Sequence, residues 1–455
     1  MTERVDVVVV GLGVGGEEGA GKLAEAGLSV VGIERSLVGG ECPYWGCVPS
    51  KMMIRAANLL AEARRIPGMA GSAEVHPDWA PVAQRIRAEA TDTWDDTVAV
   101  DRFTGKGGTF VRGSATIVGP NQVAVGDRVF EGSRALVLAT GTEPCIPPIE
   151  GLVGTPLWTN HEAIEADTLP ASLVVLGGGA IGLELAQVFA RFGVAVTVVE
   201  ALDRLLAMEE PEASAVAAQA LAEDGISIRT GVSAQRVSSV DGSFTLDLAD
   251  GTAVSAEKLL VATGRTARVK GFGLEHTGLD PNARSITVDG RMRAGDRIWA
   301  VGDVTGHGAF THIAMYQAGI AVRDILGHDG PPADYHALPR VTFTDPEIGG
   351  VGLTEAQARE QGVPVRIGMA QVASSARGWI HKAGNAGFIK LVADADQGIL
   401  VGATSAGPVG GEVLSALAVA VQARVPIDTL RHMIYAYPTF HRGIEDALRD
   451  LASTP

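Results

Sequence analysis

Residues 5–10, VDVVVV, form a short, largely apolar run rich in β-branched side chains, which predicts a strand buried on both faces. The run stops at GLGVGG, and a helix-like stretch and a second strand ending at Glu34 follow. The same order returns further on. LVVL at 173–176 leads into GGGAIG, then a helical stretch, then VAVTVV, with Glu200 closing it. Two more apolar runs, ALVLATG (135–141) and KLLVATG (258–264), end in one Ala-Thr-Gly turn, and IWAVGDVTG (298–306) ends at Gly302 and Asp303. Strands alternating with helices predict an α/β fold with a parallel sheet built twice. The Pro-rich segments TEPCIPPIEG and GPPADYHALP read as linkers. They divide the chain into a first lobe (1–150), a nucleotide lobe (151–270), a return to the first (271–337) and a tail (338–455).

The two glycine clusters have GxGxxG spacing: Gly11, Gly13 and Gly16, then Gly177, Gly179 and Gly182. In such a unit the first glycine makes a tight turn, the second lets backbone approach a pyrophosphate, and the third lets helix pack against strand. The pyrophosphate rests on free N–H groups at the helix N-terminus. An acid further on accepts hydrogen bonds from ribose, and Glu34 and Glu200 each lie 18 residues after the last glycine. One GxGxxG among 58 glycines means little; two with matched acids predict two dinucleotide sites. Glu200 would repel a 2′-phosphate and so favours NAD(H) over NADP(H), with nearby Arg204 moderating the preference. Thr140, Gly141 and Gly264 belong to the strand-end turns. Asp303, at the end of a parallel strand, points into the crevice where such sheets bind ligands; the plainer reading is a helix N-cap.

A formal charge of −16 argues against nucleic acid and anionic membranes as partners. No run is apolar enough to span a bilayer, and MTERVDVVVV lacks the pattern of a signal peptide, so the expected location is cytoplasmic. Structural disulfides are rare there, and three cysteines do not staple 455 residues.

Cys42 and Cys47 in GGECPYWGCVPSK therefore read as redox or metal, and Cys145 as ordinary. No Cys or His lies at a spacing that completes a metal site. Residues five apart on a regular helix stand about 140° apart around its axis. A working pair needs a distortion between them, and Pro43 and Gly46 suit an irregular helix start. A thiol at a helix N-terminus has a lowered pKa. Tyr44 and Trp45 are expected to pack in the core.

The ordered set GLGVGG, GGECPYWGCVPSK, GGGAIGLE, IWAVGDV and FTDPEIGGVGLTEAQA resembles the flavoprotein pyridine nucleotide-disulfide oxidoreductases, the family of dihydrolipoamide dehydrogenase, glutathione reductase and mercuric reductase. The resemblance implies two Rossmann-like domains, for FAD and NAD, and a C-terminal α+β domain forming a homodimer. It implies that Cys42 is the interchange thiol, that Cys47 faces the flavin, and that Lys51 reaches the flavin and pairs with Glu184. VVEALDR is closer to dihydrolipoamide dehydrogenases than to NADPH-using relatives, and Ala180 leaves the nicotinamide position open.

The tail departs from that pattern. In YAYPTFHRGIEDAL, Tyr437 stands where the family carries its acid–base histidine, and Arg442 where it carries the partner glutamate. His441 and Glu445, four apart, would share a helix face and offer a shifted dyad. The C-terminal cysteine pair of mercuric reductases is missing from DALRDLASTP. The expected activity is NAD(P)H-dependent reduction of a small disulfide, or oxidation of a dithiol, through the cysteines. Alternatives are a diaphorase reducing a quinone or metal ion, and a redox-sensing or complex-bound flavoprotein subunit.

Overall fold

A computed structural model describes residues 2–453, which leaves Met1, Thr454 and Pro455 outside the described residues. The chain forms two compact units. The first comprises residues 1–49, 83–145 and 264–334; the second comprises 50–82, 146–263 and 335–455. The boundary after Pro49 falls inside the helix Cys47–Arg64.

In the first unit, the strand Thr2–Val10 lies between Val30–Glu34 and Arg128–Leu138, parallel to both. Thr109–Arg112 extends one side and Ile298–Ala300 the other, again in parallel. Val7, Val8 and Val9 are fully buried, which is why this strand shows no alternation: helices and sheet extensions cover both faces. The helix Val14–Glu25 packs against the helix Thr311–Ile325 through small residues. A Cβ at Gly15 would stand 3.2 Å from that of Ala314, and one at Gly19 would touch Ala318 at 3.9 Å. The matching order of these pairs sets the helices parallel, with their N-termini side by side at the end of the sheet.

The second unit carries a four-stranded parallel sheet, ordered Ser227–Arg229, Ala195–Val199, Ser172–Leu176, Lys258–Val261. It also carries a three-stranded antiparallel sheet over 234–256 and, from the tail, a five-stranded antiparallel sheet. The helices Gly410–Gln422 and Gly443–Ser453 pack on that last sheet around Leu391, Leu414, Leu417 and Leu448. The architecture is α/β, with two sheets built on parallel strands and an antiparallel C-terminal sheet that carries helices, as read from the strand–helix alternation.

One strand of the tail sheet, Phe388–Asp394, is buried throughout and carries Lys390 as its third residue. The Lys390 ammonium contacts carboxylates of Glu212 (2.8 Å), Glu210 (3.0 Å) and Glu355 (3.0 Å). Burial alone would lower its pKa, but these hydrogen bonds outweigh it and push Lys390 up to about 12. The Lys390 contribution to stability is therefore full below about pH 10.5 and lost as pH rises through about 12. Lys390→Met leaves Glu210 buried beside no cation and is expected to cost about 3–5 kcal/mol. Urea unfolding at pH 8 measures the loss, and repeating it near pH 12 should find wild type and variant much closer.

Candidate active site

The two glycine loops are built alike. Gly11 has φ +91°, and a Cβ there would collide with the Ala139 carbonyl; Gly177 has φ +115°, and a Cβ there would collide with the Ala262 carbonyl. Gly16 and Gly182 are blocked by the carbonyls of Gly11 and Gly177. Gly13 and Gly179, the N-cap positions of the helices Val14–Glu25 and Ala180–Arg191, are different: an added Cβ would meet nothing within 4 Å. Packing thus demands the first and third glycines, while the second leaves room beside a free helix N-terminus. Glu34 accepts from Leu12 N (2.8 Å) and Ser36 N (2.7 Å); Glu200 accepts from Gly178 N (2.5 Å) and Leu202 N (2.7 Å). Each carboxylate braces its own loop and keeps lone pairs for hydroxyl donors. Both loops fit a dinucleotide.

Arg204 does not stand ready for a 2′-phosphate. Its guanidinium donates to the carbonyls of Leu206, Ala207 and Glu209 and to the Ser214 hydroxyl. Acceptors within the loop thus engage both terminal nitrogens of Arg204.

A short helix, Glu41–Tyr44, holds Cys42; Trp45 leaves helical geometry with φ −135° and ψ 11°, and the helix Cys47–Arg64 begins afresh. The expected break lies between the cysteines, and it brings their unbonded sulfurs into contact. Gly46 sits in the break, where a Cβ would press on the Glu41 carbonyl at 3.0 Å. Cys47 is exposed, and its sulfur lies 3.4 Å from the Thr311 hydroxyl. The hydrogen bond to Cys47, and then burial, push the Cys42 thiol well above its ordinary range. Tyr44 is buried, as expected of a packing residue.

Asp303 follows the strand Ile298–Ala300, with Gly302 (φ +81°) turning the chain. Burial pushes its carboxyl up, against a hydrogen bond from the Thr142 hydroxyl (2.9 Å). Arg265 joins this group: it donates to Thr142 Oγ1 at 2.7 Å and meets the Glu41 carboxylate at 3.3 Å. The Thr140 hydroxyl donates to the Arg268 carbonyl, and Gly141 and Gly264 take φ +67° and +117°. The start of the first Pro-rich segment is more than a linker, because Thr142–Pro144 pairs antiparallel with Arg265–Ala267.

In the second unit, Lys51 Nζ pairs with Glu184 Oε2 at 2.8 Å, as the resemblance implied. Glu184 is 7% exposed and accepts a second bond from Phe343 N. Gln187 and Arg191 continue the same helix face, bonding both backbone groups and the carboxylate of Asp345. Arg191 also reaches Asn58 on the helix that carries Lys51.

The tail corrects one expectation. The last helix starts at Gly443, so His441 precedes it and shares no helix face with Glu445. Glu445 pairs instead with Arg442 (2.9 Å) and Arg449 (3.5 Å), while His441 Nε2 lies 3.4 Å from Thr439 Oγ1. The Tyr437 side chain is exposed, with the Arg442 guanidinium 5.4 Å from its ring centre. Arg442, rather than His441, is thus the partner of Glu445.

Three residues at the cysteine site were not singled out from sequence. Thr142 and Arg265 each follow an Ala-Thr-Gly turn directly, a repeated offset that offered a signal. Thr311 lies 264 residues from Cys47, and nothing local marks it.

Comparison with known proteins agrees with this geometry. The family model for pyridine nucleotide-disulphide oxidoreductases matches residues 5–318, and the model for that family's dimerisation domain matches residues 338–448. A mercuric reductase of Acidithiobacillus ferrooxidans is 33% identical, over 97% of this chain and 82% of its own. A dihydrolipoyl dehydrogenase of Thermus scotoductus is 32% identical, over 98% of this chain and 97% of its own. Among solved structures, the Cu(II) complex of the HOCl-induced flavoprotein disulfide reductase RclA from Escherichia coli superposes with a TM-score of 0.87 at 27% identity, covering 99% of both chains. With its paired glycine loops, its adjacent sulfurs and its dimerisation domain, the chain belongs to the pyridine nucleotide-disulphide oxidoreductase family of FAD-dependent, dimer-forming enzymes.

Proposed function

We propose that this protein is a cytoplasmic NADH-dependent disulfide reductase working through Cys42 and Cys47 on a small disulfide or dithiol. The observation that carries the reading is the contact of the two sulfurs across a helix break in the unit that also holds the first glycine loop. Gly11, Gly13, Gly16, Glu34, Thr140, Gly141, Gly302, Asp303 and Lys51 are assigned to FAD, and Gly177, Gly179, Gly182, Glu184, Glu200 and Gly264 to the nicotinamide dinucleotide side. When bound, FAD supplies a two-electron relay between nicotinamide and sulfur. The net half-reaction balances: the hydride of NADH breaks the Cys42–Cys47 bond, leaving one thiol, one thiolate and NAD⁺. Glu184 holds the Lys51 ammonium in one place, and Glu200 selects against a 2′-phosphate by repulsion. The tail forms the dimer contact, and the four-part division at 150, 270 and 337 describes the cofactor lobes and the tail.

The tail supports the second reading, transfer of electrons to a quinone or metal ion without the cysteines. A positioned acid–base group contributes about 10²–10⁴-fold. His441 lacks a carboxylate partner at Glu445, and a tyrosine, Tyr437, stands where the resemblance places the acid–base histidine. Disulfide turnover through a tail base is therefore expected to be weak.

Steady-state kinetics separate the readings. Under the first, Cys42→Ser abolishes disulfide reduction, whereas under the second, quinone reduction survives it and no disulfide is turned over by wild type. His441→Asn is expected to change disulfide turnover by less than about threefold, against the 10²-fold or more lost with a working base. For the coenzyme, kcat/KM with NADH should exceed that with NADPH by about tenfold or more, and Glu200→Ala should bring the two together. Equal use of NADPH by wild type would remove the role given to Glu200.

A further inference from the structure

Gly178, the residue before the open N-cap position Gly179, is held through both of its backbone groups. Its N–H donates to Glu200, and its carbonyl accepts from Leu206 N at 2.9 Å. Leu205 packs so close that a Cβ at Gly178 would stand 2.8 Å from one of its methyl carbons. The segment after Glu200 thus sets the direction of the backbone that leads into the helix Ala180–Arg191. Leu206 makes its bond from a left-handed backbone, φ +46°, with its side chain buried. A bulky residue rarely adopts that conformation, and it persists only where its neighbours hold it.

The neighbour that surrounds Leu206 is Arg204. Its Nη1 donates to the carbonyls of Leu206 (3.3 Å) and Glu209 (3.0 Å) and to the Ser214 hydroxyl (2.7 Å), and its Nη2 donates to the Ala207 carbonyl (2.6 Å). Ser214, itself buried, donates in turn to the Leu205 carbonyl. All four acceptors of the guanidinium are neutral. What the group supplies there is several donors in one rigid plane, and that fork fits the carbonyls on either side of a left-handed residue. The far end of the loop is fixed as well, because the Glu209 carboxylate takes two bonds from Arg340, at 2.6 and 2.9 Å.

We propose that Arg204 is a positioning residue for the nicotinamide dinucleotide: it holds Leu206 left-handed, Leu206 and Glu200 fix Gly178, and the second glycine loop meets its ligand already in binding shape. A loop ordered beforehand loses no freedom on binding, so the gain appears in affinity. The proposal rests on the reading of that loop as the NAD(H) site. It gives the cation near the ribose acid a task other than contact with a 2′-phosphate, and the two tasks have opposite consequences. A cation that touched a 2′-phosphate would favour NADP(H), and its removal would weaken that coenzyme alone. A cation that shapes the loop serves the coenzyme matched to Glu200, and its removal weakens NAD(H).

Isothermal titration of the FAD-loaded protein with NAD⁺ and NADP⁺ measures binding, and anaerobic stopped-flow reduction of the flavin by NADH measures hydride transfer. Arg204→Gln should weaken NAD⁺ about tenfold, while the limiting rate of flavin reduction stays within about twofold of wild type. Ser214→Ala, a milder change at the same fork, should weaken NAD⁺ about threefold. Glycine takes the left-handed conformation unaided, so in a Leu206→Gly background Arg204→Gln should weaken NAD⁺ by less than about twofold. Loss of NADP⁺ affinity with NAD⁺ unchanged overturns the proposal, as does an undiminished loss of NAD⁺ affinity in the Leu206→Gly background. Unchanged NAD⁺ affinity in both Arg204→Gln and Ser214→Ala overturns it too and leaves the guanidinium a staple of the fold. If wild type binds neither dinucleotide and NADH leaves its flavin oxidised, the reading of the second loop fails first and takes this role with it.

Discussion

At both Gly11 and Gly177, a backbone carbonyl occupies the space where a side chain would begin. That exclusion is the constraint from which the rest follows. Only glycine allows the first strand of each sheet to pass so close beneath an Ala-Thr-Gly turn, and this contact aligns a helix N-terminus with open space at Gly13 and Gly179. Glu34 and Glu200 then use one oxygen each to hold the loop, Leu12 N in one case and Gly178 N in the other. The same turn has been built twice with the same parts, so a single geometric solution serves two dinucleotides.

The cysteine loop depends on that scaffold. In the first unit, the small-residue seam of Gly15, Gly19, Ala314 and Ala318 lets two helices run side by side and brings Thr311 to the end of the sheet. The helix break at Trp45 and Gly46 lets Cys42 and Cys47 meet there. Reactivity is then set by few contacts. Cys42 is held as a thiol by its neighbour and by burial, while Cys47 faces a hydroxyl and a helix end. In the second unit, Glu184, Gln187 and Arg191 turn one face of the nucleotide-loop helix into a polar seam, and Lys51 is part of it.

Much of this was legible in the sequence because it is local. Strand periodicity, the glycine spacings, the matched acids and the need for a break between Cys42 and Cys47 are all properties of short segments. What escaped notice depends on contacts between distant segments. The bonds from Arg204 to the carbonyls of Ala207 and Glu209 form only in the folded loop, and sequence gives no sign of them. His441 and Glu445 have helical spacing, yet the helix starts two residues too late to use it. Lys390 lies in a strand that otherwise reads as apolar, and its three carboxylates come from segments far along the chain. Thr311 has no motif; only tertiary packing makes it a neighbour of sulfur.

The central claim is that Cys42 and Cys47 exchange electrons with the bound flavin. Anaerobic titration of the FAD-loaded protein with NADH, followed by absorbance, tests it most directly. The account predicts uptake of two electron pairs per FAD, with a long-wavelength thiolate-to-flavin charge-transfer band appearing after the first. Bleaching of the flavin complete after one pair, with no such band, would contradict it and leave the cysteines as bystanders.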